Sequence, residues 1–266
     1  MTEDELILTH LLKCSRRELY LQQLQLTDFQ QKQFDSMKRR RQQGEPLQYI
    51  LGVANFMGFD FKVDSRVLVP RPETELLVEE AVRLFRPYNQ IRILDLGTGS
   101  GNIPISLAKL MPDCRVVSVD ISADALALAK ENAEEHGVED RVQFVQEDMI
   151  NYLSVETRHA SSLQYDLIIS NPPYIPDDRI LTLPKDVQLE PHLALKGGPD
   201  GLRFYRAIIK FSPYLLREGG YLMMEFGDGQ ENAIRELFSG QEGFAAIQIH
   251  QDLAGRDRFV SAQKIS

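Results

Sequence analysis

The sequence contains only two cysteines, and this scarcity limits the chemistry and the compartment that can be expected. Cys14 and Cys114 are far apart, so neither a disulfide framework nor a paired-cysteine metal site can be built from them. Few cysteines fit a reducing compartment. The acidic start, Met1 to Glu5, also lacks the basic region of a secretory signal. We therefore expect a cytoplasmic protein without a metal site.

Long apolar runs and an excess of positive charge are missing as well. No uninterrupted apolar run is long enough to span a bilayer, so no membrane partner is expected. The net charge is -9 and the pI is near 5.2. Proteins that grip a phosphate backbone usually carry a basic surface, so nucleic acid is not the expected ligand. The basic run Lys38–Arg41 is interpreted as the solvated last turn of a helix.

Residues 1–50 are predicted to form a small helical domain. Three hydroxyl residues have a carboxylate or an amide three positions later, the pattern of a capping box: Thr2, Ser15 and Thr27. These helices carry few apolar residues, so we expect a thin bundle that needs a neighbour. Residues 51–70 are predicted to be a hairpin connector, since Phe and Val alternate with turn formers from Phe56 to Val69.

Residues 71–266 are predicted to form the main domain, an α/β fold. Apolar runs predict strands over residues 91–96, 115–119, 142–145, 167–170, 221–226, 244–250 and 257–262. Helices are predicted over residues 73–85, 103–111, 123–136, 201–216 and 231–238. Such alternation is typical of a parallel sheet with helices on both faces. The final two strands follow one another directly, which predicts an antiparallel last strand.

A glycine-rich turn follows the first of these strands: Gly97, Thr98, Gly99, Ser100 and Gly101. Glycine lets the backbone turn tightly and approach a ligand closely. A dinucleotide-binding turn has the spacing GxGxxG, but Asn102 stands where its third glycine would be. The GxGxG spacing, with Asp95 two positions before it, resembles the first motif of class I methyltransferases. A tight turn also needs glycine for purely structural reasons, so this turn alone is weak support for a ligand.

Acidic residues end the next two strands. Asp120 can accept hydrogen bonds from both hydroxyls of a ribose, and the alternative of a helix cap is better filled by Ser122. Asp148, next to Met149, stands where this superfamily usually reaches an adenine amino group, and an exposed loop carboxylate is the alternative. Ligands of open α/β sheets bind at the carboxyl ends of adjacent strands. The coincidence of these positions predicts one cofactor site.

The segment Asn171-Pro172-Pro173-Tyr174 is the most specific signal in the chain. An amide nitrogen is a weak nucleophile because its lone pair is delocalised, so a catalyst must position it and polarise its N–H bonds. The Asn171 side-chain oxygen and the Pro172 carbonyl are the candidate acceptors. Proline pre-shapes the loop, and Tyr174 offers an aromatic face for a planar group. The segment therefore predicts methylation of a planar amide or amino nitrogen.

From about Asp4 to its end, the chain resembles the PrmC/HemK family of release-factor glutamine methyltransferases. Beyond the two motifs above, the resemblance is carried by five segments: Gln48–Gly52, Phe56–Gly58, Val69–Glu75, Gly197–Leu202 and Asp252–Arg258. The stretch Pro70–Glu75 is the most family-specific. The N-terminal region is shorter than is usual in the family by the length of a helix. Met149 stands where some relatives carry an aromatic residue, and a backbone contact or packing of its thioether can substitute for that residue.

The resemblance implies a class I, Rossmann-like methyltransferase with a mostly parallel seven-stranded sheet and a small N-terminal helical domain that contacts the protein substrate. The implied substrate is the glutamine of the Gly-Gly-Gln motif in class I peptide-chain release factors, methylated on its N5 nitrogen. Asn171, Pro172, Pro173 and Tyr174 would hold that amide, with Asn171, Pro172 and Tyr174 catalytic. S-adenosyl-L-methionine would be held by Gly97, Thr98, Gly99, Ser100, Gly101, Asp120, Asp148, Met149 and Asn171. We expect a monomer without a direct nucleic-acid partner.

Three other functions share parts of this pattern. Enzymes that methylate adenine or cytosine amino groups carry the same type of Asn-Pro-Pro-Tyr segment, so a nucleic-acid amino methyltransferase is the main alternative. The negative charge and the lack of an evident target-recognition domain count against it. A non-catalytic binding module would not need both motifs intact. An NAD-dependent oxidoreductase is disfavoured by the GxGxG spacing.

Overall fold

The N-terminal region is helical, as predicted. The structure is a computed structural model that describes residues 2–21, 25–158 and 164–266. Four helices come first: α1 (Glu3–Leu12), α2 (Arg16–Leu21), α3 (Asp28–Gln42) and α4 (Leu47–Leu51). The predicted capping boxes are confirmed, since the hydroxyls of Thr2, Ser15 and Thr27 each accept a backbone N–H three residues later. Helix α4 was not predicted; it ends at Gly52, whose φ of 72° suits glycine.

Helices α1 to α3 bury very little apolar surface. Ile7 is the one buried side chain among their described residues. The basic run lies in the last turn of α3, as predicted. Lys38 pairs with Asp4 at 2.7 Å, and Arg41 pairs with Glu3 at 2.9 Å. Much of the positive charge of this run is thus balanced by carboxylates of α1.

A short antiparallel hairpin links these helices to the main sheet: β1 (Val53–Phe56) and β2 (Phe59–Lys62). Met57 and Gly58 at its turn have φ values of 53° and 76°, which a two-residue hairpin turn requires. The hairpin is shorter than the predicted strand pattern, which extended to Val69. Residues 63–69 form no strand because the Asp64 carboxylate accepts the Arg66 N–H and bends the chain.

Seven strands form the main sheet: β3 (Arg92–Leu96), β4 (Arg115–Asp120), β5 (Val142–Gln146), β6 (Tyr165–Ser170), β7 (Leu216–Glu225), β8 (Phe244–Gln251) and β9 (Asp257–Lys264). Their order is β5-β4-β3-β6-β7-β9-β8. All neighbours are parallel except that β9 is antiparallel to both β7 and β8, so the predicted antiparallel last strand is confirmed. Strand β6 is buried along its whole length, as a parallel strand covered on both faces should be.

Helices cover both faces of this sheet: α5 (Pro72–Phe85), α6 (Asn102–Leu110), α7 (Ala123–His136), α8 (Met149–Arg158), α10 (Arg203–Leu215) and α11 (Glu231–Ser239). The short helix α9 (Lys185–Gln188) has no buried residue and lies between β6 and α10. One apolar cluster lies under α5 and α6, and a second lies under α8, α10 and α11. Two short 3₁₀ segments, Asp177–Thr182 and His192–Ala194, lie between β6 and α10. Helices α8 and α9 were not predicted. Helix α8 starts after Asp148, whose Oδ1 accepts the N–H groups of Ile150 and Asn151.

The order of the strands reverses between β3 and β6. The chain runs from β3 outward to β4 and β5 and then returns to β6 on the other side of β3. A crevice forms at the carboxyl ends of the strands at such a switch point, and ligands of open α/β sheets bind there. Gly97 follows β3 and Asn171 follows β6, so the two motifs meet at this crevice.

Candidate active site

A cavity of about 240 Å³ opens over the switch point between β3 and β6. Seven residues predicted for the site line it together: Gly97, Gly99, Asp120, Asp148, Met149, Asn171 and Pro173. They follow the carboxyl ends of four neighbouring strands, β3 to β6. The other wall is formed by residues 66–68, by Pro191, Leu193 and Ala194, and by the start of α10. The fold therefore brings motifs that are distant in sequence into one pocket.

The glycine turn between β3 and α6 lines the cavity and is hydrogen-bonded to β4. The Gly97 N–H donates to the Val119 carbonyl at 2.8 Å. Gly97 has a φ of 82°, and a Cβ there would lie 3.4 Å from Met149 Cε and 3.7 Å from the Asn171 carbonyl oxygen. A side chain at this position would therefore be strained and would take up space in the cavity.

Three residues of the predicted cofactor turn lie outside the cavity wall: Thr98, Ser100 and Gly101. Thr98 Oγ1 lies 2.8 Å from Ser118 Oγ, and the Ser118 hydroxyl donates to the fully buried Asp95. Burial raises the pKa of Asp95 to about 7. The hydrogen bonds of Thr98, Ser118 and Asp95 support the turn. The predicted contacts of Thr98, Ser100 and Gly101 with the cofactor stay predictions.

Asp120 accepts two backbone hydrogen bonds, one from the glycine turn and one from the residue that caps α7. Its Oδ2 accepts the Gly99 N–H and its Oδ1 accepts the Ser122 N–H, both at 2.9 Å. Burial raises the pKa of Asp120, while these bonds lower it. Each carboxylate oxygen has a second lone pair with which to accept a ligand hydroxyl. The Ser122 hydroxyl caps α7 by accepting the Ala125 N–H at 3.1 Å, so the cap is Ser122, as predicted.

The wall near α8 combines one carboxylate with apolar side chains. Asp148 Oδ1 caps α8, while its Oδ2 accepts no bond from any described residue. Met149 lies beside it, and Leu193 and Phe204 line the same cavity. A flat aromatic ring with an exocyclic amino group fits this combination, because the ring packs on apolar atoms and the amino group donates to the carboxylate. The wall therefore fits the adenine of the expected cofactor.

Asn171 lines the cavity directly after β6, and its Nδ2 donates to Thr74 Oγ1 at 3.1 Å. Pro173 also lines the cavity, whereas Pro172 and Tyr174 do not. The Tyr174 ring is seated on Gly227, where an added Cβ would lie 2.8 Å from Tyr174 Cδ2. Burial raises the pKa of Tyr174 to about 12. The predicted contacts of Pro172 and Tyr174 with a substrate amide stay predictions.

Thr74 and Glu225 belong to the same network but were not predicted as site residues. The Thr74 hydroxyl donates to Glu225 Oε2 at 2.6 Å. Burial raises the pKa of Glu225 to about 7, although hydrogen bonds from Thr74 and Asn171 lower it. A signal for each was present in the sequence. Thr74 lies in the family-specific stretch Pro70–Glu75, and Glu225 is a carboxylate in the apolar run 221–226.

Ion pairs and a hydrogen bond connect the stretch Val69–Glu75 to other parts of the chain. Arg71 pairs with the buried Glu190 at 2.5 Å, and Glu190 also accepts the Val69 N–H at 3.0 Å. Arg258, which follows the turn between β8 and β9, lies 3.8 Å from Glu73. The stretch Pro70–Glu75 is thereby tied to the segment that carries Glu190 and to the start of β9.

Two kinds of structure are missing from residues 2–21, 25–158 and 164–266. No group of three or more His, Cys, Asp or Glu side chains in these ranges is arranged to hold a metal ion. No helix in them is both long and apolar enough to cross a membrane.

Comparison with known proteins identifies the family. Residues 2–52 match the family described as the PrmC N-terminal domain, and residues 87–254 match the family described as a methyltransferase domain. A release factor glutamine methyltransferase of Chlorobaculum tepidum is 42% identical over 264 residues, which cover 97% of this chain and 88% of the relative. The chain belongs to the release factor glutamine methyltransferase family. A family member from Clostridium acetobutylicum is 36% identical over 98% of this chain and 90% of its own length.

Solved structures agree on the fold of this family member. A methyltransferase of Pyrococcus furiosus aligns with a TM-score of 0.58 at 16% identity, covering 87% of this chain and 100% of its own. At such low identity the likeness concerns the fold alone. The predicted class I methyltransferase fold is confirmed, and S-adenosyl-L-methionine is the cofactor of this methyltransferase domain, as predicted.

Proposed function

We propose that the chain transfers a methyl group from S-adenosyl-L-methionine to the side-chain N5 nitrogen of the glutamine in the Gly-Gly-Gln motif of class I peptide-chain release factors. The observation that carries the proposal is the position of Asn171, which lines the cavity while its NH2 group is turned towards Thr74. Its side-chain oxygen is then left to accept a substrate N–H. The relatives named release factor glutamine methyltransferases support this choice of substrate.

Different cavity residues would hold different parts of the cofactor. Asp120 would accept the two ribose hydroxyls, and Asp148 with Met149 would hold the adenine. The turn from Gly97 to Gly101 would contact the rest of the cofactor, because glycine lets the backbone approach a ligand closely. When bound, S-adenosyl-L-methionine supplies an electrophilic methyl group on its sulfonium.

The segment after β6 would hold the glutamine. The Asn171 oxygen and the Pro172 carbonyl accept the two N–H bonds of the amide, which orients the nitrogen and raises its electron density. Pro173 and Tyr174 flank the plane of the amide. As the N–C bond forms, the bond between the methyl carbon and the sulfonium sulfur would break and the nitrogen would gain positive charge; it would then lose one proton to water. No strong base is required beforehand, because that proton becomes acidic only during the transfer.

The rest of the chain would bring the protein substrate to this site. We assign residues 1–50 to substrate docking, residues 51–70 to a connector and residues 71–266 to methyl transfer. Tyr20 and Phe29 in the first region are exposed by 60% and 69%, and exposed aromatic residues are frequent at protein interfaces. We further propose that the enzyme acts as a monomer in the cytoplasm.

Methylation of an amino group in nucleic acid, of the adenine N6 type, is the alternative that shares the Asn-Pro-Pro-Tyr chemistry. The charge of -9 and the pairing of the basic run with carboxylates support a protein substrate instead. We therefore propose that the enzyme makes no direct contact with nucleic acid.

The test is transfer of labelled methyl from S-adenosyl-L-methionine to purified release factor, to its Gly-Gly-Ala variant, to DNA and to RNA. We expect label on the wild-type release factor alone. Asn171→Ala should lower the rate by about 100-fold, as loss of one fixed polar contact to a transition state typically does. Label on nucleic acid instead of release factor would contradict the proposal.

A further inference from the structure

We propose that Thr74 and Glu225 form a relay that fixes the orientation of the Asn171 amide, so that its oxygen and not its NH2 group faces the substrate nitrogen. Neither residue lines the cavity, so both act through Asn171 as positioning residues. The inference rests on the proposed function, because it requires a substrate group that presents N–H donors to Asn171.

The relay contains two consecutive hydrogen bonds, and the Asn171 amide also lies near enough to Glu225 to lower its pKa directly. Asn171 Nδ2 donates to Thr74 Oγ1 at 3.1 Å, and the Thr74 hydroxyl donates to Glu225 Oε2 at 2.6 Å. Thr74 is exposed by 1% and Glu225 by 4%. Water therefore has little access to the hydroxyl between them, and each partner depends on the other for its hydrogen bonds.

The number of available protons determines the direction of both bonds. A threonine hydroxyl has a single proton, and an ionised carboxylate can only accept hydrogen bonds. The Thr74 proton must therefore point to Glu225, which leaves only lone pairs on the side facing Asn171. Those lone pairs can accept from the Asn171 NH2 group. In the turned orientation, the Asn171 oxygen would face Thr74 Oγ1, which has no second proton to donate.

The direction of these bonds matters because an asparagine amide has no strong orientation preference of its own. Its oxygen and NH2 ends have almost the same shape, so packing alone distinguishes them poorly. With the oxygen towards the cavity, Asn171 accepts an N–H of a substrate amide. With the NH2 towards the cavity, donors would face donors and the polarisation of the nucleophile would be lost. The relay supplies the discrimination that Asn171 lacks.

Protonation of Glu225 would remove this discrimination. A protonated carboxyl can donate to Thr74, which releases the threonine proton to bond to the Asn171 oxygen in the turned orientation. Burial raises the pKa of Glu225 to about 7. The groups that face it from all sides are Glu73 on α5, Arg258 on β9, Tyr174 after β6 and Tyr205 on α10. Glu73 raises this pKa and Arg258 lowers it. The rate should therefore fall as the pH drops through this range.

Steady-state kinetics on release factor test the relay. Thr74→Val, which keeps the shape of the side chain, should lower kcat by about 100-fold, as a misplaced catalytic group does. The KM for release factor and the Kd for S-adenosyl-L-methionine should not change, and Thr74→Ser should restore most of kcat. Glu225→Gln should lower kcat at high pH and abolish its decline at low pH. Asp166→Asn is the matched control, because this buried carboxylate lies at the amino end of β6, away from Asn171, and pairs with Arg217.

A second measurement needs no protein substrate. The side-chain amide signals of Asn171 in NMR spectra should shift with pH, with a midpoint near 7 in the wild type and no such shift in Glu225→Gln. This measurement and the pH profile of Glu225→Gln decide the matter if Thr74→Val does not fold. Three results would each overturn the relay. The first is wild-type kinetics in both variants, and the second is an unchanged decline of kcat at low pH in Glu225→Gln. The third is an Asn171 amide signal whose pH dependence is the same in Glu225→Gln as in the wild type.

The relay and the proposed substrate can fail separately. A wild-type enzyme that leaves release factor unlabelled, but whose Asn171 signal follows Glu225, would contradict the proposed function and support the relay. Normal labelling of release factor by Glu225→Gln at every pH would support the proposed function and overturn the relay.

Discussion

Asp120 illustrates at the scale of a single residue how the fold prepares a charge for a ligand. Burial opposes its ionisation, yet its two oxygens accept backbone N–H groups from Gly99 and Ser122. The carboxylate is therefore fixed before a ligand arrives. An ordered acceptor loses less conformational freedom on binding than a mobile one, and this increases affinity.

Asp120→Asn should weaken the binding of S-adenosyl-L-methionine by about tenfold to 100-fold, because a hydrogen bond to a charged group is worth about 1.5–3 kcal/mol. Isothermal titration calorimetry measures the change. Asp124→Asn, on the exposed first turn of α7, is the control and should bind as the wild type does. Equal affinities for both variants would show that Asp120 does not hold the cofactor.

Some site residues could be predicted from the sequence and others could not. Gly97, Asp120 and Asn171 stand next to strand ends, so local spacing was enough to place them at one edge of the sheet. Thr74 and Glu225 are 151 positions apart, and only the packing of α5 against the end of β7 brings them together. No periodicity or motif spacing carries that information.

Gly197 matters at the scale of elements, because it lets two loops pass in contact. A Cβ there would lie 2.8 Å from the Pro173 carbonyl oxygen and 2.8 Å from the Tyr174 backbone. Its N–H donates to the Ile175 carbonyl at 2.8 Å, so the loop before α10 is bonded directly to the loop after β6. The shape of the Asn-Pro-Pro-Tyr segment depends on this close approach.

Gly197→Ala should displace that segment and lower kcat by about 100-fold, since small misplacements near the chemistry have effects of this size. Stability should fall by about 1–3 kcal/mol from overpacking. Gly240→Ala is the control, because nothing lies nearer than 4.0 Å to an added Cβ there. Kinetics and thermal melts of the two variants provide the comparison. Wild-type activity in Gly197→Ala would mean that the loop positions are not coupled.

Elements with long apolar patterns were predicted well, and short ones were not. All seven strands of the sheet were found because each contains several apolar residues in a segment bounded by turn residues. Helix α8 was missed because Asp148 was interpreted as a ligand contact or as an exposed loop carboxylate, and not as the residue that caps this helix. Helix α4 has five residues, too few for a periodic pattern to be recognised.

Buried carboxylates affect the stability of the whole molecule. Burial raises the pKa values of Asp95 and Glu225 to about 7 in the folded protein, above their ordinary values of 3.8 and 4.5. The folded state thus binds more protons than the unfolded state between those limits. These two groups make their full contribution to the free energy of unfolding below their ordinary pKa values. That contribution is lost as the pH rises to about 7.

Asp95→Asn removes one of these groups and its dependence on pH. The unfolding free energy of the variant, relative to the wild type, should rise by about 4 kcal/mol between pH 4 and pH 8, since one pKa unit corresponds to 1.36 kcal/mol. Urea denaturation at several pH values gives the difference. A difference that stays constant with pH would mean that Asp95 ionises normally in the folded protein.

The central claim for the whole molecule is that its cavity methylates one nitrogen of one glutamine. Mass spectrometry of release factor, treated with the enzyme and S-adenosyl-L-methionine and then digested, tests this most directly. We predict a single added methyl group on the peptide that contains Gly-Gly-Gln, with fragmentation placing it on the N5 nitrogen of the glutamine side chain. A methyl group on any other residue or atom, or an unmodified peptide, would contradict the account.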